Sequence, residues 1–337
     1  MRTAVRPLAT LALPLSAVLV LSACGGSDPA TETAAVDTET VSFTWDRNVA
    51  AEDADPQLEE TSVEVPKSPG NIVVFDMASL DTIGALGGEV AGAPLDSVPD
   101  YLQDALADDA YDVGTLSEAD LVAIEAEQLD LIVIAGRSSA LYEDLSEIAP
   151  TVDLSLRGSF TETLERNTTF LGEVLGAEDE AEQAIAEVTE GIEEARAATA
   201  DAGTGLGLMV SGGELSALSP AGADAAGRGA RGGLIYDAFG VEPVVDDIEA
   251  ATHGEPVSFE FLLEANPDHL WVVDRDAAIG AEGAQAAAAV LDNEIVAQTT
   301  AAQEDQIVYL DPAAWYVVFG GIETTGIMID DVLQIAD

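Results

Sequence analysis

The sequence is poor in basic residues. Only 11 lysines and arginines accompany 64 aspartates and glutamates among 337 residues, and the formal net charge is −53 at pH 7. A chain this negative repels phosphate backbones, which excludes nucleic-acid binding as its function. The acidic residues alternate with Ala, Val, Leu and Gly, so we expect a folded protein with an acidic surface. At roughly 100–200 residues per domain, the length predicts about two domains.

Cysteine and the common catalytic motifs are also scarce. Cys24 is the only cysteine, so no disulfide can form within the chain. The sequence contains no Gly-x-Ser-x-Gly, His-Glu-x-x-His or Gly-x-x-x-x-Gly-Lys pattern, and no dinucleotide-binding fingerprint follows the first predicted strand. With so many acidic residues, a catalytic pair of carboxylates is not excluded, but no particular pair is indicated by the sequence. The dipeptide Asp246-Asp247 lacks the residue spacing of a calcium-binding loop. We therefore expect a binding protein with no intrinsic cofactor rather than an enzyme.

The N-terminus has the pattern of an export signal. Arg2 and Arg6 precede an apolar stretch at 8–21 that is too short for a stable membrane span. The tetrapeptide Leu-Ser-Ala-Cys, ending at Cys24, is typical of a bacterial lipoprotein signal. We predict that residues 1–23 are removed and that lipid on Cys24 is the only membrane attachment, on the outer face of the cytoplasmic membrane. The alternative is an ordinary secretory signal with an incidental cysteine.

The rest of the chain predicts two α/β lobes joined by a helix. Residues 24–40 are small and polar, which favours a flexible tether. Short apolar runs alternate with helical patterns in 41–176 and again in 201–337, which predicts βαβ units and largely parallel sheets. Between them, 177–200 contains strong helix formers with apolar residues at helical spacing, so we predict one long linking helix.

The two halves each place an arginine after a buried strand. The segment 129–137 and the segment 267–275 align at an offset of 138 residues, and each has an Asp, an apolar run and a final Arg. Ligands bind at the carboxyl ends of parallel strands, so Arg137 and Arg275 are candidates to line a cleft between the lobes. The alternative is that both are surface arginines after unrelated strands.

Six stretches resemble a known family. They are similar to the class III, helix-linked substrate-binding proteins of ABC transporters, in particular to the lipoproteins that bind ferric catecholate siderophores of the enterochelin and petrobactin type. The stretches span nearly the whole chain after the tether, and those around His253 and Tyr316 are the most specific. They are VPKSPGNIVVFDMASLDTIGALG (65–87), DLIVIAGRSS (130–139), LSALSP (215–220), RGGLIYDAFGV (231–241), THGEPVSFEFLLEANPDHLWVVDR (252–275) and IVYLDPAAWYVVFGG (307–321).

The resemblance implies three cleft arginines, which match Arg137, Arg231 and Arg275, with Arg228 as an alternative to Arg231. Ferric catecholates carry several negative charges, and guanidinium groups both donate to their oxygens and stack on aromatic rings. Trp315 is the further ligand-binding candidate in this region. Its alternative role is to form a core pair with Tyr316.

The resemblance also implies two iron ligands, which match His253 and Tyr316. Fe(III) prefers six donors, so a siderophore with only four leaves two positions for an imidazole and a phenolate. The phenol must lose its proton, so such ligation is expected to depend on pH. The alternative for His253 is a structural hydrogen bond, and we interpret His269, at the start of a buried strand, as structural.

Partners are implied by the same resemblance. They are a ferric siderophore, an ABC permease and its ATPase, and we expect the protein to be a monomer. Class III proteins dock on the permease through one acid per lobe, at positions that match Asp81 and Asp237. Both are Asp where the family usually has Glu, and ordinary solvated carboxylates are the alternative.

Other functions remain open from the sequence. The same fold could bind another iron chelate, haem or a cobalamin. It could also be an adhesion or structural lipoprotein without a ligand, or a hydrolase acting on the siderophore.

Overall fold

A computed structural model describes residues 39–50, 57–221 and 230–336. The predicted signal peptide, Cys24, most of the tether and Arg228 lie outside the described residues.

The described chain begins with an antiparallel pair of strands, β1 (Thr40–Asn48) and β2 (Leu58–Pro66). Every second residue of β1 is apolar as far as Trp45, and Val41, Phe43 and Trp45 are buried in the core of the first half of the chain. The sequence pattern places the start of structure near Val41 but does not predict such a pair. It was missed because only β1 alternates clearly, whereas β2 is mostly exposed.

Residues 72–153 contribute a five-stranded sheet in which all neighbouring strands are parallel, as predicted. The apolar runs at its centre are completely buried, because helices cover both faces of a parallel sheet. The strand order is β5-β4-β3-β6-β7. The strands are β3 (Ile72–Val74), β4 (Val90–Ala93), β5 (Leu106–Asp112), β6 (Leu131–Ile134) and β7 (Thr151–Asp153).

Helices of this half follow the strands. The first begins where the Asp76 side chain accepts a hydrogen bond from the Ser79 amide, 2.9 Å away, and ends before Gly87, whose φ is +77°. The helices are α1 (Met77–Ala85), α2 (Leu121–Glu125), α3 (Tyr142–Ser146) and α4 (Phe160–Leu175), with 3₁₀ turns at Leu95–Ser97, Asp100–Ala105 and Gly136–Leu141.

The predicted linking helix is present as α5 (Glu178–Thr199), about 33 Å long at 1.5 Å per residue. It packs against α4, from which it is separated by Gly176 in a left-handed conformation with a φ of +69°. The two sheets lie on either side of α5 in the sequence. The division into lobes at 41–176 and 201–337 stays a prediction.

Residues 204–309 contribute the second sheet, in the order β11-β9-β8-β12-β13, with β10 also paired to β8. Strands β8, β12 and β13 are parallel, whereas β9 is antiparallel to β8 because the turn at Gly212-Gly213 returns the chain directly. This sheet is therefore mixed. The strands are β8 (Thr204–Ser211), β9 (Glu214–Ala217), β10 (Glu242–Pro243), β11 (Glu255–Val257), β12 (His269–Asp274) and β13 (Ile307–Tyr309).

The helices of the second half end with α11, which packs on both α1 and α5 and so joins the two halves. Within the described ranges, no helix is both long and apolar enough to cross a bilayer. The helices are α6 (Ala230–Gly233), α7 (Phe259–Ala265), α8 (Arg275–Ala278), α9 (Ala287–Leu291), α10 (Thr300–Gln303) and α11 (Ile322–Leu333), with π-helical turns at Leu234–Ala238 and Ala313–Val318 and 3₁₀ turns at Val296–Gln298 and Gln334–Ala336.

Candidate ligand-binding site

Three arginines surround the ring of Tyr316. Arg137 follows the carboxyl end of β6, Arg275 follows that of β12, and Arg231 lies in α6. Their guanidinium carbons are 5.4, 5.5 and 4.6 Å from the centre of the Tyr316 ring, within the range of cation–π attraction. The structure thus brings together residues that the sequence analysis selected from segments up to 179 positions apart.

The arginines of this cluster donate to neutral oxygens. Arg137 reaches the backbone carbonyl oxygens of Tyr316 at 2.6 Å and of Val317 at 3.1 Å. Arg231 donates to the Thr252 carbonyl oxygen at 2.8 Å, and Arg275 Nε donates to the Tyr316 hydroxyl at 2.8 Å. Because these acceptors carry no formal charge, they orient the guanidinium groups without neutralising them.

Three other basic residues in the described part of the chain have acidic partners, whereas Arg166 and Arg196 also donate to neutral oxygens. Arg47, Lys67 and Arg157 form ion pairs with Glu143, Glu178 and Asp153 at 3.0–3.4 Å. Within the same residues, no carboxylate lies within 4.0 Å of a guanidinium nitrogen of the Tyr316 cluster. In a chain with so many acids, this cluster therefore keeps a local positive charge that attracts anions.

Crowding of like charges changes the acid–base properties of the cluster. Burial, together with the nearby charges of Arg137 and Arg275, lowers the pKa of Arg231 to about 10. The pKa of Arg137 is also lowered, first by partial burial of its guanidinium and in part by Arg275. Both side chains remain protonated at neutral pH, and a bound anion would relieve their mutual repulsion.

His253 and Tyr316 lie side by side at this cluster. The His253 Nε2 atom is 3.2 Å from the Tyr316 hydroxyl oxygen, and the two rings are stacked with centroids 6.2 Å apart. Partial burial and the positive charges of the three arginines lower the pKa of His253. Its imidazole is therefore neutral at pH 7, the form that can coordinate a metal ion.

The described residues contain no group of three or more His, Cys, Asp and Glu side chains that could hold a metal ion. His253 and Tyr316 by themselves supply two donors, one nitrogen and one oxygen. Two donors fit an ion that arrives with most of its ligands already bound, because an isolated Fe(III) needs about six.

A cavity of about 250 Å³ adjoins this group. It is lined by Met209, Ser211, Glu214, Ser216, His253 and Arg275. The first four were missed by the sequence analysis. The alternation of apolar and polar residues was a signal for Ser211, Glu214 and Ser216, whereas Met209 lies within a continuous apolar run. Phe319 was also missed, and its ring centre lies 5.2 Å from the Arg231 guanidinium carbon.

Trp315 does not line the cavity as expected. Its side chain is only 1% exposed, packs against Phe239 with ring centroids 5.8 Å apart, and donates to Asp331 at 2.8 Å. It occupies the hydrophobic core, so its ring has no open face for a ligand. Of the adjacent aromatic pair, only Tyr316 contacts the arginines.

Asp81 does not lie at the surface as the docking prediction requires. It is 1% exposed, and its carboxylate accepts hydrogen bonds from the amides of Glu323 and Thr324 at 2.8 and 2.7 Å and from the Thr324 hydroxyl at 2.5 Å. It therefore binds the first turn of α11 to α1. Gly321 permits this close approach, since a Cβ there would lie 2.5 Å from Asp81 Cγ.

Two further residues from the sequence analysis, Asp237 and His269, differ in exposure. Asp237 is exposed on the π-helical turn after α6, and its docking role stays a prediction. His269 is 8% exposed and its Nε2 lies 2.6 Å from the Ala202 carbonyl oxygen, in agreement with a structural role.

This chain matches one protein family, and it is similar to a known protein over nearly the full length of both. The model of the periplasmic binding protein family matches residues 72–314. The petrobactin-binding protein YclQ of Bacillus subtilis is 34% identical over 328 residues, which cover 96% of this chain and 97% of YclQ.

Solved structures agree with this match. A TroA-like periplasmic binding protein from Xylanimonas cellulosilytica is 72% identical, with a TM-score of 0.84 over 88% of this chain and 99% of that one. The structure of YclQ has a TM-score of 0.76 at 33% identity, covering 89% and 99% of the two chains. The catecholate-siderophore binding protein VctP of Vibrio cholerae has a TM-score of 0.76 at 29% identity, covering 88% and 100%.

Proposed function

Because this chain belongs to the periplasmic binding protein family, we propose that it captures a ferric siderophore of the catecholate type and delivers it to an ABC importer. YclQ is named for petrobactin and VctP for catecholate siderophores, and both are similar to this chain over most of their length. The proposal is a binding function, without a chemical step on the ligand.

The observation that carries the proposal is the un-neutralised arginine cluster around Tyr316. Arg137, Arg231 and Arg275 lie within 4.6–5.5 Å of one aromatic ring and have neutral hydrogen-bond acceptors. Anionic oxygens of a ferric catecholate can accept from these guanidinium groups, while its aromatic rings can stack on their planes. A ligand without negative charge would not compensate the repulsion among the three cations.

His253 and Tyr316 are proposed to complete the coordination of the iron. A ligand with two catecholate groups supplies four oxygens and leaves two positions on Fe(III). The 3.2 Å separation of His253 Nε2 and Tyr316 Oη is compatible with two donors bound to adjacent positions of one ion. Iron is then part of the transported ligand and is not a cofactor of the protein.

The attachment of the protein to the membrane and its protein partners are also proposed. Lipid on Cys24 would hold the protein at the outer face of the cytoplasmic membrane, and a permease with its ATPase would receive the ligand. Asp237 is exposed and is kept as a docking residue, whereas the burial of Asp81 removes it from this role. The protein is proposed to act as a monomer.

The test is a titration of the purified protein with a ferric bis-catecholate, followed by tryptophan fluorescence and by the visible charge-transfer band. The variants are His253→Ala and Tyr316→Phe. Tyr309→Phe is the matched control, because Tyr309 is 42% exposed and lies on β13. We expect saturable quenching in the wild type and in the control, and a band shift that is lost when Tyr316 is replaced.

Two other outcomes are informative. Tight binding that neither substitution affects would mean that the ligand fills all six iron positions and is held by the arginines alone. Absence of binding to both bis- and tris-catecholates would contradict the proposal, and haem and cobalamin would be the next ligands to test.

A further inference from the structure

The cavity beside His253 and Arg275 has a second wall that the proposed function does not use. This wall is one face of the β8–β9 hairpin. In its register, Ser211 is paired with Glu214 and Met209 with Ser216, so these four residues lie on the same face. The alternate residues are buried in the core on the opposite face; they are Leu208, Val210, Leu215 and Ala217.

The position of this wall is fixed by hydrogen bonds. Gly212 and Gly213 form the turn, with φ of +60° and +79°. The carboxylate of Asp276, 7% exposed, accepts from the Gly212 amide at 2.6 Å and from the Ser211 hydroxyl at 3.1 Å. The Ser211 oxygen in turn accepts from Arg275 Nη1 at 3.1 Å. The hairpin that carries Glu214 is therefore tied to Arg275, which lines the same cavity.

Glu214 gives this wall a negative charge. Its side chain is exposed, and it takes part in none of the ion pairs found among the described residues. A carboxylate beside a site for anions weakens the binding of a ligand that is negative throughout. It strengthens binding only when the ligand brings a positive group to that side of the cavity.

The charges that line the cavity thus fit a ligand that carries both negative and positive groups. In the proposed complex Arg275 and His253 would face the anionic iron-binding groups, whereas Glu214 and Ser216 would offer oxygen acceptors beside them. The Ser211 hydroxyl is already engaged by Arg275 and Asp276. The chemical group that matches a carboxylate beside a hydroxyl is a protonated amine, which donates several hydrogen bonds.

We propose that Glu214 binds a protonated amine in the chain that links the iron-binding groups of the ligand, and that it disfavours ligands lacking such a cation. This specificity role rests on the proposed function of the site.

The test compares two ferric bis-catecholates of equal linker length. One has a secondary amine in the linker, and the other has a methylene group at that position. Dissociation constants are measured by tryptophan quenching for the wild type, Glu214→Gln and the control Glu89→Gln, which changes an exposed glutamate that follows α1 in the first half of the chain. Ser216→Ala removes the neighbouring hydroxyl without changing the charge.

In the wild type we expect the amine ligand to bind about three- to five-fold more tightly than its methylene analogue, the range for an ion pair that solvent can reach. Glu214→Gln should reduce this ratio to about one and leave the affinity for the methylene ligand unchanged or improved. Glu89→Gln should keep the wild-type ratio.

The proposal is overturned if Glu214→Gln keeps the wild-type ratio, or if it weakens both ligands equally. If neither ligand binds to the wild type, the proposed siderophore function itself fails, and this inference fails with it. Both ligands binding with equal affinity to the wild type would leave the siderophore function standing and reject the amine subsite.

Discussion

Replacing Asp81 by Asn should change how the stability of this protein depends on pH. Asp81 is 1% exposed and accepts three hydrogen bonds from Glu323 and Thr324, which favour its ionised form. Burial opposes ionisation more strongly, and it raises the pKa of Asp81 from 3.8 to about 6. Asparagine has a similar shape and does not titrate in this range.

The sign and size of the effect follow from linkage. The native state binds the Asp81 proton more tightly than the unfolded state, so the stabilisation is complete below pH ~4 and is lost as the pH rises through about 6. A shift of about two pKa units corresponds to ~3 kcal/mol of unfolding free energy. Asp81→Asn should remove this contribution.

The assay is urea unfolding of the wild type and Asp81→Asn between pH 4 and pH 8. Repulsion among the other acids is common to both proteins, so it cancels in the difference. We expect the wild type to lose about 2–2.5 kcal/mol relative to the variant from pH 4 to pH 7, because part of the effect lies below pH 4. Asp237→Asn, at an exposed position, tests whether the effect depends on burial.

A difference that stays constant with pH would refute this reasoning. So would a wild type that gains stability relative to Asp81→Asn as the pH rises. Either result would mean that the hydrogen bonds from α11 outweigh the cost of burying the charge.

Three further predictions concern packing and charge. Gly321→Ala should destabilise the protein by ~2 kcal/mol or more in urea unfolding, because the φ of +85° disfavours a side chain and the new Cβ would lie 2.5 Å from Asp81 Cγ. Trp315→Ala should cost ~3–5 kcal/mol in the same assay, since it leaves a cavity and removes the partner of Asp331; a loss below ~1 kcal/mol would contradict its place in the core. The association rate of an anionic ferric chelate, measured by stopped flow, should rise about several-fold when salt is increased from ~10 to ~150 mM. Salt shortens the Debye length and so screens the repulsion between the chelate and a protein with a net charge of −53. A rate that falls with salt would mean that attraction by the arginine cluster dominates at long range.

Local sequence determined most of the fold. Buried strands at 72–74 and 131–134 and the helix at 178–199 follow from apolar runs and helical periodicity, which act within a few residues. The positions of Arg137 and Arg275 were also predictable, since each closely follows the carboxyl end of a buried strand, where the ligand site is proposed. The family resemblance added Arg231, His253 and Tyr316, which no local pattern selects.

Tertiary structure alone decided which of two neighbouring side chains faces the proposed ligand site. Trp315 and Tyr316 are adjacent aromatic residues, and the orientation of one π-helical turn sends the first to the core and the second to the arginines. Asp81 resembles a surface acid in sequence, but α11, about 240 residues later, covers it. Glu214 and Arg275 line one cavity only because a hairpin and a parallel strand meet in one sheet. These contacts join distant segments, and their energy comes from packing that a local pattern does not contain.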